Sequence, residues 1–111
     1  MRDVIRQSKE LNEKIKQSEE YKIYLETKAA LYEHDDLCIR LKEFKNRNES
    51  LQNNPVSDAY DAVTSLVKEY DDLLHNALVG DFLRAEQKIC RLMQQVYISI
   101  SEGLELEYLD E

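Results

Sequence analysis

At 111 residues, the chain has the length of one domain and can bury about two thirds of the surface its unfolded form exposes, so it needs neither disulfides nor a metal to fold. Two glycines and one proline leave little material for hairpins and strand punctuation, which argues against an all-β or α/β plan. A formal charge of −8, from 23 acidic and 15 basic side chains, argues against direct nucleic-acid binding, because phosphates are met by clustered Lys and Arg.

The start, MRDVIRQSKELNEK, is amphipathic rather than a charged segment followed by an apolar one. No run of 18 apolar residues occurs anywhere. Neither a secretory signal nor a membrane span is therefore expected, and the expected compartment is the cytoplasm. Cys38 and Cys90 lack CxxC spacing and read as two reduced core thiols.

In chain order, Val4, Ser8, Leu11 and Ile15 recur at spacings of four, three and four, with Ile5 beside them. They predict a helix over residues 3–17 whose apolar stripe needs a partner. Ser18 before Glu19 and Glu20 is an N-cap with carboxylates at the positive end of the helix dipole. This second helix runs to about residue 33 and turns Tyr21, Tyr24, Leu25, Leu31 and Tyr32 inward, with the Lys28 stem lying along the same stripe. After His34-Asp35-Asp36, Asp35 is expected to cap a third helix displaying Leu37, Leu41, Phe44, Asn48 and Leu51, a heptad-like series. Asn53-Asn54-Pro55 ends or kinks it.

A fourth helix from about residue 57 carries Tyr60, Val63, Val67, Tyr70 and Leu74 at threes and fours. Within NALVGD at residues 76–81, Gly80 leaves a kink, a cap and a tolerated helical glycine all open. The last helix presents Val79, Phe82, Leu83, Ile89, Cys90, Met93, Val96, Tyr97 and Ile100, and Gly103 is a natural residue to follow its end. An acidic tail, residues 103–111, closes the chain. Tyr24-Leu25 and Phe82-Leu83 sit in partly similar contexts, SEEYKIYLETKAAL and VGDFLRAEQKI, an echo that shared helical spacing explains. The expected fold is all-α: one domain, 1–111, built as an antiparallel bundle of about five amphipathic helices. Its expected core is Leu11, Tyr24, Leu25, Leu41, Phe44, Val63, Val67, Phe82, Leu83, Ile89 and Met93.

Chemistry is sparse. Asp72 and His75 have the i, i+3 spacing of carboxylate-bridged metal bundles, which need two such motifs and further Glu. His34 and Cys38 lie four apart on one helical face, half of what a structural zinc site needs. A metal-binding bundle using these four residues is the alternative reading. Surface histidines beside helix ends are the plainer one. No GxSxG fixes a nucleophile, and phosphate-loop fingerprints fail for want of glycine. No enzyme activity and no catalytic residue are expected. Ile23, Ile39 and Ile98 sit off the main stripes, where an apolar side chain serves a partner or is simply exposed.

From its first helix to its last, the chain resembles the YlbF/YmcA family of small helical bacterial regulators. The resemblance is carried by Ser18-Glu19-Glu20-Tyr21, by Phe82-Leu83-Arg84-Ala85-Glu86 and by Ile100-Ser101-Glu102-Gly103-Leu104. It implies a non-enzymatic, cytoplasmic regulator that acts through protein partners: related family subunits, a YaaT-like protein and, through it, RNase Y. It further implies links to competence, sporulation, biofilm formation and RNA processing, with RNA touched by the partner. A homo-oligomer is expected; a structural homo-oligomer without regulatory role is a further alternative. The tail ELEYLDE has no cysteine of the kind some members associate with iron–sulfur clusters, and no cofactor is expected.

Overall fold

A computed structural model describes residues 1–53 and 59–105. Six helices occupy them: α1 (Arg2–Lys16), α2 (Glu19–Tyr32), α3 (Asp35–Asn53), α4 (Ala59–Glu69), α5 (Asp71–Leu74) and α6 (Ala77–Ser101). There is no strand among the described residues, and the fold is all-α. The expected break at Asn54-Pro55 and most of the acidic tail lie outside the described residues.

Local chemistry explains where the helices begin and end. The Ser18 hydroxyl accepts from the Tyr21 amide at 3.3 Å and donates to the Ile15 carbonyl at 2.6 Å, so one side chain closes α1 and opens α2. The cap of α3 differs from expectation. The Cys38 amide donates to the His34 carbonyl at 3.1 Å, which makes His34 the capping residue and places Asp35 and Asp36 in the first turn, where their charge meets the helix dipole. Asn76 caps α6, its Oδ1 accepting from the amides of Leu78 at 2.9 Å and Val79 at 3.2 Å. Gly80 continues that helix, its amide donating to the Asn76 carbonyl at 2.9 Å. Gly103 has φ +82° just past the end of α6, a left-handed position that glycine adopts without steric cost.

The expected fourth helix is interrupted. Tyr70 leaves the helical region at φ −106° and ψ 20°, which separates α4 from the single turn of α5 and raises the helix number to six. This break turns Tyr70 and Leu73 inward together with Leu66. These three, with Leu31, Leu41, Val79 and Phe82, form the buried core. Tyr24, Leu37, Phe44 and Leu83 pack against its edge.

Asn76→Ala leaves two amides at the start of α6 without their acceptor and is expected to cost about 1 kcal/mol. Urea denaturation followed by circular dichroism measures it, and an unchanged midpoint would show that the cap contributes nothing.

Several core expectations are corrected by burial. Leu41 and Phe82 are buried, whereas Leu11 and Ile89 are half-buried. Leu25, Val63, Val67 and Met93 are exposed, as are Tyr32 and Cys90. α4 and the residue that follows it carry two apolar stripes, Val63–Val67 and Leu66–Tyr70, about 60° apart. The fold buries the one with larger side chains, which removes more apolar area from water. Leu25 follows Tyr24 by one residue, about 100° round the helix, and therefore points away from α6 when Tyr24 faces it. The molecule is also thin, with extents of 50 × 37 × 17 Å. That thickness holds about two helix layers at 8–10 Å spacing, so each helix keeps an outer side.

Candidate functional site, an uncovered helical face

α3 is fastened to its neighbours by three cations. Arg40 makes a two-pronged contact with Asp72 of α5 at 2.7 and 2.9 Å. Lys45 reaches both carboxylate oxygens of Glu86 on α6 at 2.7 Å, and Arg47 meets Glu69 of α4 at 2.8 Å. The guanidinium carbons of Arg40 and Arg47 each lie 5.6 Å from the centre of the Tyr70 ring, and the Phe44 ring packs on it at 5.5 Å. Exposed pairs of this kind contribute little energy each. Only Arg40 makes the forked, two-point contact that adds geometric specificity to the charge attraction.

Those contacts occupy the residues of the metal alternative. The Arg40 guanidinium holds the Asp72 carboxyl down at about 2. The Cys38 thiol donates to the Leu31 carbonyl at 3.4 Å, and the exposed His75 ring lies 2.8 Å from the Asp71 carbonyl. His34 is exposed at the cap of α3. The four do not converge, and among the described residues no group of three or more His, Cys, Asp or Glu is placed to hold a metal ion.

The Asp72–Arg40 link has a pH signature. The carboxyl titrates lower in the folded chain than its ordinary value of 3.8, so its contribution is present above about pH 4 and is lost as the pH falls toward about 2. Asp72→Asn is therefore expected to lower the urea midpoint at pH 7, with the difference from wild type shrinking toward zero as the pH approaches 2. A pH-independent difference would show that the carboxylate charge is not what Arg40 uses.

What the structure does assemble is an apolar face without cover. α2 has 14 residues and packs mainly on α6, which has 25. At 1.5 Å per residue these are about 21 and 37 Å long, so α2 covers little more than half of α6. Tyr24 meets Phe82 at 5.7 Å, while Glu20 lines a surface depression with Lys88, Arg91 and Leu92. Beyond that point Met93, Tyr97, Ile98 and Ile100 are exposed, the last three above 60%. A shallow hollow of about 500 Å³ lies against Met93, Gln94, Tyr97 and Ile98.

α1 is in the same condition. It has no buried residue; Val4 and Ile5 are exposed, and Leu11 and Ile15 are half-buried. The partner its stripe demands is present only in part, as the start of α2. Ile23 and Ile39, the off-stripe residues, are exposed as well. Sequence spacing located these stripes. The relative lengths of α2 and α6, which leave the end of α6 bare, are a signal that was present in the sequence and becomes readable once the two helices are known to pair.

Among the described residues no helix is long and apolar enough to cross a membrane. No curated protein and no solved structure matches the chain. A family model described as control of competence regulator ComK, YlbF/YmcA, matches residues 4–105, which takes in every helix of the fold. The chain belongs to the YlbF/YmcA family of competence regulators.

Proposed function

We propose that this regulator works as a non-enzymatic adaptor in the cytoplasm, binding other proteins through its helix faces. The observation that supports this most is the apolar surface left along α1 and the second half of α6, since contiguous uncovered apolar surface marks interaction sites. Helix-in-groove docking with anchors at i, i+3, i+4 and i+7 is the recognition mode such faces use.

The partners we propose are those the family resemblance implies. They are related subunits of the same family and a YaaT-like protein, in a complex that modulates RNase Y-dependent RNA processing and thereby competence, sporulation and biofilm formation. The net charge of −8 supports a division of labour in which the partner, and not this chain, touches RNA.

The test is direct binding and a cellular readout. The purified full chain is titrated calorimetrically with the YaaT-like protein and the related subunits of its own host, alone and mixed. Saturable binding is expected, and deletion of the gene is expected to change the cleavage pattern of RNase Y substrates. No binding to any mixture, together with an unaltered cleavage pattern, would sink the reading.

A further inference from the structure

We infer that α4 and α5 form one two-state element, bent at Tyr70 in this structure and able to close into a single continuous helix over residues 59–74 when α3 releases it. The inference goes beyond the adaptor reading, because it concerns the chain by itself and no partner enters it.

Local sequence and fold disagree at this point. Tyr60, Val63, Val67, Tyr70 and Leu74 recur at three, four, three and four, a spacing that runs through the bend without a step and belongs to one helix. No glycine or proline occurs from residue 59 to residue 75, so nothing in the covalent chain interrupts that helix. Yet Tyr70 stands at φ −106° and ψ 20°. Its amide closes α4 on the Leu66 carbonyl at 3.2 Å, and its carbonyl opens α5 by accepting from the Leu74 amide at 2.9 Å. Two bonds of a continuous helix, from the Asp71 amide to the Val67 carbonyl and from the Leu73 amide to the Glu69 carbonyl, are not made. Conflict between local preference and global fold is expected at strained or functional positions.

α3 supplies the grip that holds the bend. Arg40, Phe44 and Arg47 follow one another at four and three on a single face of that helix, and all three engage residues 69–72. Arg40 forks onto Asp72, and Arg47 reaches both Glu69 and, at 3.4 Å, the Tyr70 hydroxyl. The two guanidinium groups and the Phe44 ring surround the Tyr70 ring. The Leu73 amide also favours the Asp72 carboxylate, so the donor that the bend takes from the Glu69 carbonyl is answered by the side chain Arg40 holds. Both arginine pairs are exposed. A latch built from such pairs is weak and is screened by salt.

Release changes what the chain presents. On a continuous helix Leu66, Tyr70 and Leu73 form one edge of a broad apolar side, and Tyr60, Val63, Val67 and Leu74 form the other. The bent form buries the first edge and leaves Tyr60, Val63 and Val67 exposed. Straightening swings the start of α4, with those three side chains, relative to α6. Two packings of one segment, separated by a small free energy, are the physical basis of a conformational switch.

The test places spin labels at Asp61→Cys on α4 and Lys88→Cys on α6, both exposed positions outside the latch, in a Cys38→Ala, Cys90→Ala background of the full chain. Pulsed dipolar spectroscopy reads the distance between them. One main distance is expected at about 0.01 M salt, with a second growing as salt is raised to about 1 M. Adding Arg40→Gln and Arg47→Gln is expected to raise the ratio of second to first by about tenfold, the combined strength of two exposed pairs, and to make that ratio indifferent to salt. Carbon chemical shifts of residues 70–73 in this variant are expected to become helical, with the Leu73 amide slower to exchange. The salt titration of the otherwise unaltered latch reads the same equilibrium should the variant fail to fold. One distance, unchanged by salt and by both substitutions, would overturn the inference. So would coil shifts at residues 70–73, which would mean that the bend frays on release and does not join the two helices.

Discussion

Truncating Phe82 to alanine is expected to destabilise the chain by about 3–5 kcal/mol, the range for removing a buried aromatic side chain and leaving a cavity that neighbours fill only in part. Phe82 is only 6% exposed and lies where three elements meet. Its ring packs on Tyr24 of α2 at 5.7 Å and lies under the Lys45 ammonium of α3 at 5.4 Å, and Lys45 in turn holds Glu86 one turn further along α6. A marginally stable domain has about 5–15 kcal/mol in total, so the substitution removes a large share of it. Urea denaturation followed by circular dichroism measures the loss. Leu83→Ala, at the partly buried neighbouring position, is expected to cost less. If Phe82→Ala melted like wild type, the α2–α6 contact would not be the centre of the core.

Leu73→Ala is the second large effect, expected at about 2–5 kcal/mol. Leu73 is 1% exposed and belongs to the single turn of α5, which touches α3, α4 and α6. One turn of helix has no stability of its own, because nucleation fixes several residues for a single hydrogen bond. α5 is therefore held by the burial of its side chains, and Leu73 is the one that reaches the core. Its removal is expected to loosen the joint between the α3–α4 pair and the α2–α6 pair. Hydrogen exchange should then show faster exchange of the α4 and α5 amides before those of α2 and α6. Equal acceleration across all helices would mean that the whole domain unfolds as one unit.

The two effects differ in a useful way. Phe82 sits within the longest helix contact, whereas Leu73 sits in the shortest helix, yet both derive their weight from burial rather than from local propensity. The three cation links of α3 behave differently: they lie at the surface, with only Lys45–Glu86 half-buried, and are screened by salt and individually small. Raising salt is expected to matter far less to stability than either truncation.

The family and the helical character were legible in the residues themselves. Apolar spacings of three and four marked each long helix, because only an α-helix brings such positions to one side. Ser18 and Gly103 marked boundaries through local hydrogen bonding and backbone freedom, which depend on a few neighbouring residues, whereas the Asn76 cap of α6 came with the structure. Ser18-Glu19-Glu20-Tyr21 and Phe82-Leu83-Arg84-Ala85-Glu86 were enough to point to the family that the match over residues 4–105 shows.

Other features belong to the tertiary structure alone. Spacing put Val63, Val67 and Tyr70 on one stripe, but the fold buries Tyr70 with Leu66 and leaves the two valines exposed, since neighbouring apolar stripes are equivalent until another helix covers one of them. The break at Tyr70 has no glycine or proline to announce it; it follows from turning Tyr70 and Leu73 into a core built by other helices. Met93 and Tyr97 carry the same periodic pattern as Phe82, yet they lie past the end of α2 and stay exposed. Periodicity is a property of one helix and says which side is apolar. What covers that side is decided by the lengths and crossing angles of the others, and here they leave α1 and the end of α6 bare.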